Sequence, residues 1–419
     1  SGMLQLMFNA VDIVVVGRFS GSQSLAAVGA TTALIYLFTN LFIGISLGAN
    51  VLAARYYAAG KHEEMSETVH TAMMFALISG IIMIFVGLFF SRLALEIMGT
   101  PSDVIDQATL YMRIYFLGMP FFMLYNYGSA ILRAVGDTKR PLIFLIISGV
   151  VNACLNMLLV IVFHLDVAGV AIATVTSQFI SCVLVIGCLY RTKSSYQLRF
   201  SRLKIRKEYL KPICQVGIPA GIQSTVINFS NALLQSSVNS FGSTTMAGYT
   251  AANNIFGFLY VSVNAITQAC MSFTSQNYGL RKLKRMDKIL MDCLILTVIV
   301  SLVLGGGVYL FGAEILRLYT EEAEVIRCGI EIFAYTTVTY FLCGIMDLFP
   351  GALRGMDCST VPMILSVIGT VGTRIVWVFW LFPAHHSLAF LFISYPASWL
   401  ITIVMQVICF YFVRRKVHG

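Results

Sequence analysis

The sequence predicts an all-α integral membrane protein in which twelve transmembrane helices form two pseudo-symmetric six-helix bundles. This prediction depends on the composition, on the charge of the connections and on an internal repeat. Of the 419 residues, 58% are hydrophobic and 11% are charged, and the mean hydropathy is +0.83. A soluble domain carries about 25% charged residues, so much of this apolar surface must face lipid. Backbone in lipid must satisfy its own hydrogen bonds, which leaves helical bundles or closed β-barrels.

Helices are favoured over a barrel because the apolar runs do not alternate with polar residues. The run "LIISGVVNACLNMLLVIVF" (145–163) is apolar almost throughout, whereas a barrel strand alternates. A helix needs about 20 apolar residues to cross the hydrocarbon core. Twelve such runs, numbered here as spans 1 to 12, lie at residues 1–17, 24–54, 69–95, 104–134, 141–163, 167–190, 209–237, 246–276, 287–313, 325–353, 362–382 and 387–413.

The basic residues orient these spans. Most of the 28 Lys and Arg residues fall in the even-numbered connections and in the C-terminal tail, with Arg354 assigned to the connection between spans 10 and 11. Basic loops stay on the cytoplasmic side, so both termini are predicted to be cytoplasmic. The longest basic connection, residues 191–211, is interpreted as a solvated loop whose charge fixes the topology. The alternative is a specific anionic-lipid site. The net charge of +9 therefore does not indicate nucleic acid as a partner.

An internal repeat with an offset of 221 residues relates the two halves. "GSQSLAA" (21–27) aligns with "GSTTMAG" (242–248), and "LRAVGDTKRP" (132–141) aligns with "LRGMDCSTVP" (353–362). Helix breakers, basic loops and ends of spans coincide along the whole register. Each half holds six spans, so both halves enter the membrane in the same orientation, as in transporters built from parallel repeats.

The repeat predicts the domain organisation. An N-terminal lobe covers residues 1–195, a cytoplasmic linker covers 196–208, and a C-terminal lobe covers 209–419. Residue 1 aligns with a position inside span 7. We therefore expect span 1 to be cut short, with one or two helical turns preceding residue 1 in the native protein.

The sequence contains no catalytic constellation. It has no P-loop, no GxSxG motif and no HExxH motif. None of its ten cysteines forms a CxxC pair, so neither a disulfide framework nor a zinc site is predicted. A membrane-embedded enzyme would need paired catalytic groups at one depth, and the sequence shows none. We predict a protein that is not an enzyme and needs no cofactor, and any pumping must draw on an ion gradient.

Two acidic residues lie inside predicted spans. Asp12 stands in the apolar run "MFNAVDIVVVGRF" of span 1, and Asp347 stands in span 10. A charged side chain inside a span costs about 2.5–3.5 kcal/mol on insertion scales, and such residues mark ion or substrate pathways. Asp12 is therefore predicted to exchange a proton or Na⁺. The alternative is a structural acid paired with Arg18.

Polar residues of other spans are candidates to complete a cation site with Asp12. Asn152 and Asn156 are four residues apart in span 5 and so share a helix face, and Thr174 lies in span 6. Together they would supply one carboxylate, amide oxygens and a hydroxyl. A sodium ion would be held by Asp12, Asn152 and Thr174. Hydrogen bonding between helices is an equally good reading of these residues.

Span 11 contains a basic residue, Arg374, at the repeat equivalent of Ala153 and therefore beside the equivalent of Asn152. A fixed cation there would disfavour a metal ion in the C-terminal half. An Asp347–Arg374 ion pair is a further hypothesis, and both residues are candidates for the lining of a substrate cavity. The 19 Met, 30 Phe and 19 Tyr residues mostly fill helix contacts, but a minority could form an adaptable surface for organic cations.

Three motifs resemble those of the multidrug and toxic compound extrusion (MATE) family. They are "MLQLMFNAVDIVVVGRFSGSQSLAAVGA" in span 1, "ILRAVGDTKRP" after span 4 and "GALRGMDCSTVP" after span 10. The resemblance implies a cation-coupled antiporter that exports amphipathic, often cationic compounds. It implies two six-helix lobes that rock between inward-open and outward-open forms.

The resemblance also implies roles for individual residues. Asp12, Asn152 and Thr174 match the cation site of the N-terminal lobe, while Asn156 stands where many members carry Asp. Gln5 matches a glutamine that lines the cavity. The sodium-coupled branch adds an acid in span 7, which this chain lacks after Glu208. This absence favours a proton or a single ion in the N-terminal lobe.

The function predicted from the sequence is H⁺- or Na⁺-coupled export of organic cations or drugs by alternating access. The protein is expected to be a monomer in the bacterial cytoplasmic membrane, in contact with lipids. The alternative from the same superfamily is a flippase for lipid-linked sugars, which would need several positive residues in its cleft. A channel is a third possibility, and it would allow passive flux without exchange.

Overall fold

The structure is a computed structural model that describes residue 15, residues 21–317 and residues 322–418. Within this part of the chain every regular element is a helix, and no β-strand occurs. The chain divides into two compact units after Gly221. The boundary falls inside a helix, beyond the predicted linker of residues 196–208.

The first unit is a bundle of long helices. They are α1 (Gly21–Ala58), α2 (His62–Ile97), α3 (Ile105–Leu117), α4 (Met119–Ala134), α5 (Lys139–Asn156), which continues as π-helical turns over Met157–Val162, and α6 (Asp166–Arg191). The next helix, α7 (Lys207–Asn239), begins in the first unit and ends in the second.

The second unit repeats this order of elements. Its helices are α8 (Ser243–Gly279), α9 (Leu283–Leu310), α10 (Gly312–Arg317), α11 (Ala323–Thr336), α12 (Tyr340–Gly355), α13 (Thr360–Ser366), α14 (Thr373–Val376) and α15 (Leu388–His418). The π-helical turns Val367–Gly372 and Trp377–Leu381 flank α14, and a 3₁₀ turn follows at Phe382–Ala384.

Each predicted span from 2 to 12 corresponds to a helix or to a broken helix. Among the described residues, eight helices are long and apolar enough to cross a membrane, and the pair α11 and α12, bent by 51°, would make a ninth. Span 4 is divided between two short helices, α3 and α4. Span 7, the helix α7, is long but polar, and it falls short on apolarity. Span 1 lies outside the described residues except for Val15.

The two broken spans occupy equivalent places in the repeat. The first break is at Gly118, between α3 and α4, and the second is at residues 337–339, between α11 and α12. Helix α6 packs closely against the first break. A Cβ atom at Gly118 would lie 2.7 Å from Oε1 of Gln178 and 2.8 Å from Cγ2 of Val175, which is closer than real Cβ contacts. The shared position of the breaks supports the repeat that the sequence predicts.

The outer surface of both units is apolar, as lipid requires. Large side chains are well exposed on helices α2, α9 and α15 and on the π-helical turns of the second unit; examples are Phe89, Ile97, Val303, Leu310, Trp380 and Phe412. In a soluble protein an apolar surface of this extent would drive aggregation. Here it marks the lipid-facing sides of the helices.

The connection between α6 and α7 is not a freely solvated loop. Ion pairs tie it to the start of α2: Arg202 lies 3.5 Å from Glu63, and Arg206 lies 2.5 Å from Glu67. The prediction of a solvated loop at residues 191–211 is therefore wrong in this respect. Two of its basic side chains have acidic partners on α2, which the count of basic residues alone could not reveal.

A buried histidine completes this docking. The ring of His70, on α2, donates from Nδ1 to the carbonyl oxygen of Ser66 over 2.6 Å. Its Nε2 accepts a hydrogen bond of 2.9 Å from the backbone N–H of Arg199 in the connection. His70 is buried, and both ring nitrogens are used by backbone groups. In the same connection, burial raises the pKa of the Tyr196 hydroxyl above the usual tyrosine range.

Candidate functional site

The candidate cation site of the first unit is only partly within the described residues. Asp12 and Gln5 lie outside them. Val15, three residues after Asp12, is described, and it is buried in the hydrophobic core of the first unit. The residues that remain to be placed are Asn152, Asn156 and Thr174.

Asn152 and Asn156 form a buried amide pair at the end of α5. The side-chain nitrogen of Asn156 donates to Oδ1 of Asn152 over 3.2 Å, and the two residues are 0% and 5% exposed, respectively. Their shared helix face is as predicted. Buried amides in a membrane bundle need polar partners, and each asparagine supplies a carbonyl oxygen that can ligand a hard cation.

The helix changes its geometry directly after this pair. The π-helical turns Met157–Val162 follow Asn156 without a break. Such turns are rare in proteins and are found frequently at functional sites. In the second unit, the turns Trp377–Leu381 cover nearly the same positions of the repeat. Both units therefore have altered helix geometry next to the residues that the sequence singles out.

Thr174 lies on α6, the neighbour of α5, and is half-buried. Its hydroxyl donates to the carbonyl oxygen of Val170 over 3.0 Å. This bond uses the proton and leaves the oxygen lone pairs able to face a cation. No hydrogen bond joins Thr174 to Asn152 or Asn156, all three of which are described residues. The structure thus pairs the asparagines but does not link Thr174 to them.

Gln178 is a polar residue of α6 that the sequence reasoning missed. It lies one helical turn after Thr174 and so shares its face. Its Oε1 is buried, and it has no hydrogen-bond partner among the described residues. The spacing of four residues from Thr174 was the available signal.

In the second unit, Asp347 is paired differently from the prediction. Its carboxyl group is hydrogen-bonded to Tyr260 of α8 and interacts electrostatically with Arg354. Asp347 and Arg354 are seven residues apart on α12, so two helical turns bring them to the same face. The Asp347–Arg374 ion pair is wrong, since Arg374 has other partners. The seven-residue spacing within one helix is the reason that Arg354 takes its place.

Arg354 is a buried helix residue and not a loop residue. It lies within α12 and is 8% exposed, and its Nη2 donates to Oε1 of Gln223 on α7 over 2.6 Å. Its assignment to a cytoplasmic connection is therefore wrong, because α12 continues to Gly355. Arg354, Gln223 and Tyr260 are the polar residues of this unit that the sequence reasoning missed.

Arg374 is held by neutral groups. It is 2% exposed, and its Nη1 donates to Oγ of Ser230 over 3.2 Å and to Oδ1 of Asn231 over 2.7 Å. Its guanidinium lies over the ring of Tyr395, 4.6 Å from the centroid, which is a cation–π contact. The Tyr395 hydroxyl is hydrogen-bonded to that of Tyr249 over 3.2 Å. No carboxylate of the described residues lies within ion-pair distance of Arg374.

The two units therefore present opposite chemistry to a cation. The described part of the first site supplies amide and hydroxyl oxygens without a charge, and these could complete a site whose negative charge comes from Asp12. The second unit holds two buried guanidinium groups and one carboxylate. Among the described residues no cluster of three His, Cys, Asp or Glu side chains could hold a metal ion.

Comparison with known proteins identifies the family. The family model named MatE matches residues 1–158 and 219–380, which cover most of the chain and both halves of the repeat. The chain belongs to the MatE family. The resemblance expected from the three motifs is confirmed, and the two matched segments correspond to the two halves.

Relatives of this MatE chain are found along its whole length. It is 28% identical to the Probable multidrug resistance protein YoeA of Bacillus subtilis, over 99% of the chain and 92% of that protein. It is 21% identical to the multidrug export protein MepA of Staphylococcus aureus, over 87% of the chain and 81% of that protein.

Solved structures support the fold. The crystal structure of the Vibrio cholerae MATE transporter VcmN matches 99% of this MatE chain and covers 93% of that chain, with a TM-score of 0.90 and 18% sequence identity. This match agrees with the predicted fold class of two six-helix bundles of transmembrane helices. At this level of identity it concerns the fold alone.

Proposed function

We propose that this MatE protein is a multidrug exporter that exchanges H⁺ or Na⁺ for amphipathic, often cationic organic compounds. The observation that carries the proposal is the buried pair of Asn152 and Asn156 inside a membrane bundle. The pair lies on the helix where the repeat and the motifs place the cation site. Relatives named for multidrug resistance and multidrug export support the substrate class.

The proposed chemistry begins with Asp12 as the charged ligand. A carboxylate inside a span is unfavourable by about 2.5–3.5 kcal/mol on insertion scales, and a bound proton or Na⁺ removes most of that penalty. The amide oxygens of Asn152 and Asn156 and the hydroxyl of Thr174 would supply the neutral ligands of Na⁺. With a proton as the coupling ion, the same groups would accept its hydrogen bond.

Coupling requires that the ion and the drug favour different conformations. We place the ion-sensitive element at α5, where the π-helical turns Met157–Val162 follow the amide pair. A helix with two hydrogen-bond registers near its site can change shape without losing its backbone bonds. Binding at Asp12 would then bias the first lobe between an inward-open and an outward-open form.

We further propose a monomer in the bacterial cytoplasmic membrane, surrounded by lipids, with both termini in the cytoplasm. The positive-inside rule supports this orientation, because the basic connection between α6 and α7 and the Arg-rich end of α15 lie at the same side of the predicted topology. The working units are the predicted lobes, residues 1–195 and 209–419, joined by the linker 196–208.

The test is ethidium efflux from proteoliposomes under an imposed pH gradient or an imposed Na⁺ gradient. We expect one of the two gradients to accelerate efflux by the wild type, and Asp12→Asn to abolish the acceleration while the purified variant keeps its melting temperature. Gradient-driven efflux at the wild-type rate by Asp12→Asn would contradict the role of Asp12. Passive ethidium flux without any gradient would instead indicate a channel.

A further inference from the structure

The second unit contains two buried guanidinium groups at the places where a cation would otherwise bind. One belongs to Arg354, beside the buried-helix acid Asp347, and the other belongs to Arg374. A protein built from two similar halves would be expected to use both for the same ion. The contacts of these arginines argue against that expectation.

The first place is the acid of α12. Asp347 is the one carboxylate that faces the cluster of α7, α8 and α12 residues described above. It already has a cationic partner in Arg354 and a neutral partner in Tyr260. Arg354 is itself fixed by its 2.6 Å hydrogen bond to Gln223. A charged side chain of the same chain therefore supplies the positive charge that a proton or Na⁺ would bring.

The second place is defined by the repeat. Arg374 aligns with residue 153, next to Asn152, so it stands on the helix that carries the amide pair in the first unit. Its partners Ser230 and Asn231 align with residues 9 and 10, within one turn of Asp12 in the sequence. Arg374 thus bridges the same two helices that the proposed ion would bridge in the first unit.

The partners of Arg374 are those of a bound cation. A hydroxyl oxygen and an amide oxygen accept its hydrogen bonds, and the face of Tyr395 covers it. These are groups that bind positive charge without neutralising it. Its Nε is buried without a hydrogen-bond partner among the described residues. Such a residue is costly to keep inside a membrane bundle, and for that reason it marks a functional position.

We infer that the C-terminal lobe is ion-independent, because the guanidinium groups of Arg354 and Arg374 are its permanent cations, and that the N-terminal lobe alone exchanges the coupling ion. Resting on the proposed function, this inference assigns one exchangeable ion to each transport cycle. It also makes Arg354 the residue that determines this number, since Asp347 would become an acid in need of a cation once Arg354 is removed.

The experiment measures ion binding in purified variants. The probes are ²²Na⁺ binding, proton release on Na⁺ addition, and the melting temperature in NaCl against choline chloride. We expect Asp12→Asn to bind no ion by all three measures. We expect the double variant Asp12→Asn with Arg354→Gln to gain an ion-dependent rise in melting temperature of several degrees. Adding Asp347→Asn should abolish that gain.

The outcomes separate the two proposals. An Asp12→Asn protein that still binds or exchanges one ion overturns the ion-independent C-terminal lobe, and this measurement needs no arginine variant to fold. Absence of the gain in a folded Asp12→Asn, Arg354→Gln protein also overturns it. A wild type that neither binds nor exchanges an ion refutes the proposed function instead. The gain of binding through Arg354→Gln would stand even then.

Discussion

The side-chain nitrogen of Asn156 lies 3.2 Å from Oδ1 of Asn152, one helical turn away on α5, and both residues are buried. The bond orients the pair, because the nitrogen of Asn156 is used as a donor and its own carbonyl oxygen is thereby directed away from Asn152. Two amides that orient each other on one helix face form a prearranged polar patch. The first two predictions concern this patch and its neighbour on α6.

Asn152→Ala should destabilise the protein and weaken ion coupling together. The substitution removes the acceptor for the Asn156 amide, and a buried donor that loses its partner costs about 1–3 kcal/mol. We expect a lower melting temperature and slower gradient-driven ethidium efflux. Asn277→Ala is the matched control, since Asn277 is exposed and bonds only to the Phe273 carbonyl oxygen. Equal effects of the two substitutions on efflux would contradict a site role for the pair.

Thr174→Ala should reduce coupling without a comparable loss of stability. Its hydroxyl bonds to a carbonyl oxygen of its own helix, so its removal leaves no donor of another helix unpaired. If Thr174 contributes a ligand, we expect the ion affinity to fall about 10- to 100-fold, the range measured when groups that support a metal site are removed.

Thr176→Ala is the control for Thr174→Ala. Thr176 makes the same type of bond, to the carbonyl oxygen of Ile172 over 2.8 Å. Residues two positions apart do not share a helix face, so Thr176 points away from the face of Thr174. We expect normal ion affinity for this variant, measured by the Na⁺ or H⁺ dependence of efflux. A similar loss in both variants would assign the effect to the helix and not to a ligand.

Much of the fold was predictable because the membrane imposes it. Apolar runs of about 20 residues must become helices, and the spans from 2 to 12 are observed as helices or broken helices. The repeat also predicted that special features would recur, and the breaks at Gly118 and at residues 337–339 do so. The family membership followed from motifs in three connections and spans.

The interior pairing was less predictable, because a helical pattern gives the face of a residue and not its neighbour on another helix. Arg354 was assigned to a loop since it stands beside glycines at the end of an apolar run. One more helical turn places it in the interior. Asp347 was matched with Arg374 because both are intramembrane charges, yet Arg354 lies two turns away on the helix of Asp347.

Arg374→Ala should destabilise the second unit, and a small guanidinium compound should restore it. The substitution leaves Ser230 and Asn231 without their donor and removes the contact with the Tyr395 ring, each a loss of about 1 kcal/mol or more. We expect millimolar methylguanidinium to raise the melting temperature of this variant and not that of the wild type. A planar fork can bond to both oxygens while it lies over the ring.

The comparison with methylammonium separates shape from charge. Methylammonium has the same charge but lacks the planar fork, so we expect it to raise the melting temperature of Arg374→Ala less than methylguanidinium does. Equal effects of both compounds, or none from either, would contradict a preformed guanidinium site at Ser230, Asn231 and Tyr395.

His70 should make the attachment of the linker sensitive to pH. Its Nε2 accepts the backbone N–H of Arg199, which requires the neutral ring, and its Nδ1 already donates to Ser66. The facing charged groups are Glu63 and Glu67 on α2 and the basic residues of the connection itself, which are Arg199, Arg202, Lys204 and Arg206. Protonation places a second N–H against that of Arg199, so docking holds at higher pH and is lost as the pH falls.

Tryptic cleavage measures this release, because the connection is rich in Lys and Arg. In vesicles that expose the cytoplasmic side, we expect cleavage between α6 and α7 to increase as the pH is lowered from about 8 to about 5.5, the range in which histidine side chains gain a proton. The rate is corrected for the pH dependence of trypsin on an unfolded peptide of the same sequence. His70→Ala, which lacks the acceptor for Arg199, should be cleaved rapidly at every pH. His62→Ala is the control, since His62 is exposed at the start of α2, and it should keep the wild-type profile. A pH-dependent cleavage that persists in His70→Ala would assign the release to the ion pairs of Glu63 and Glu67 and not to the histidine.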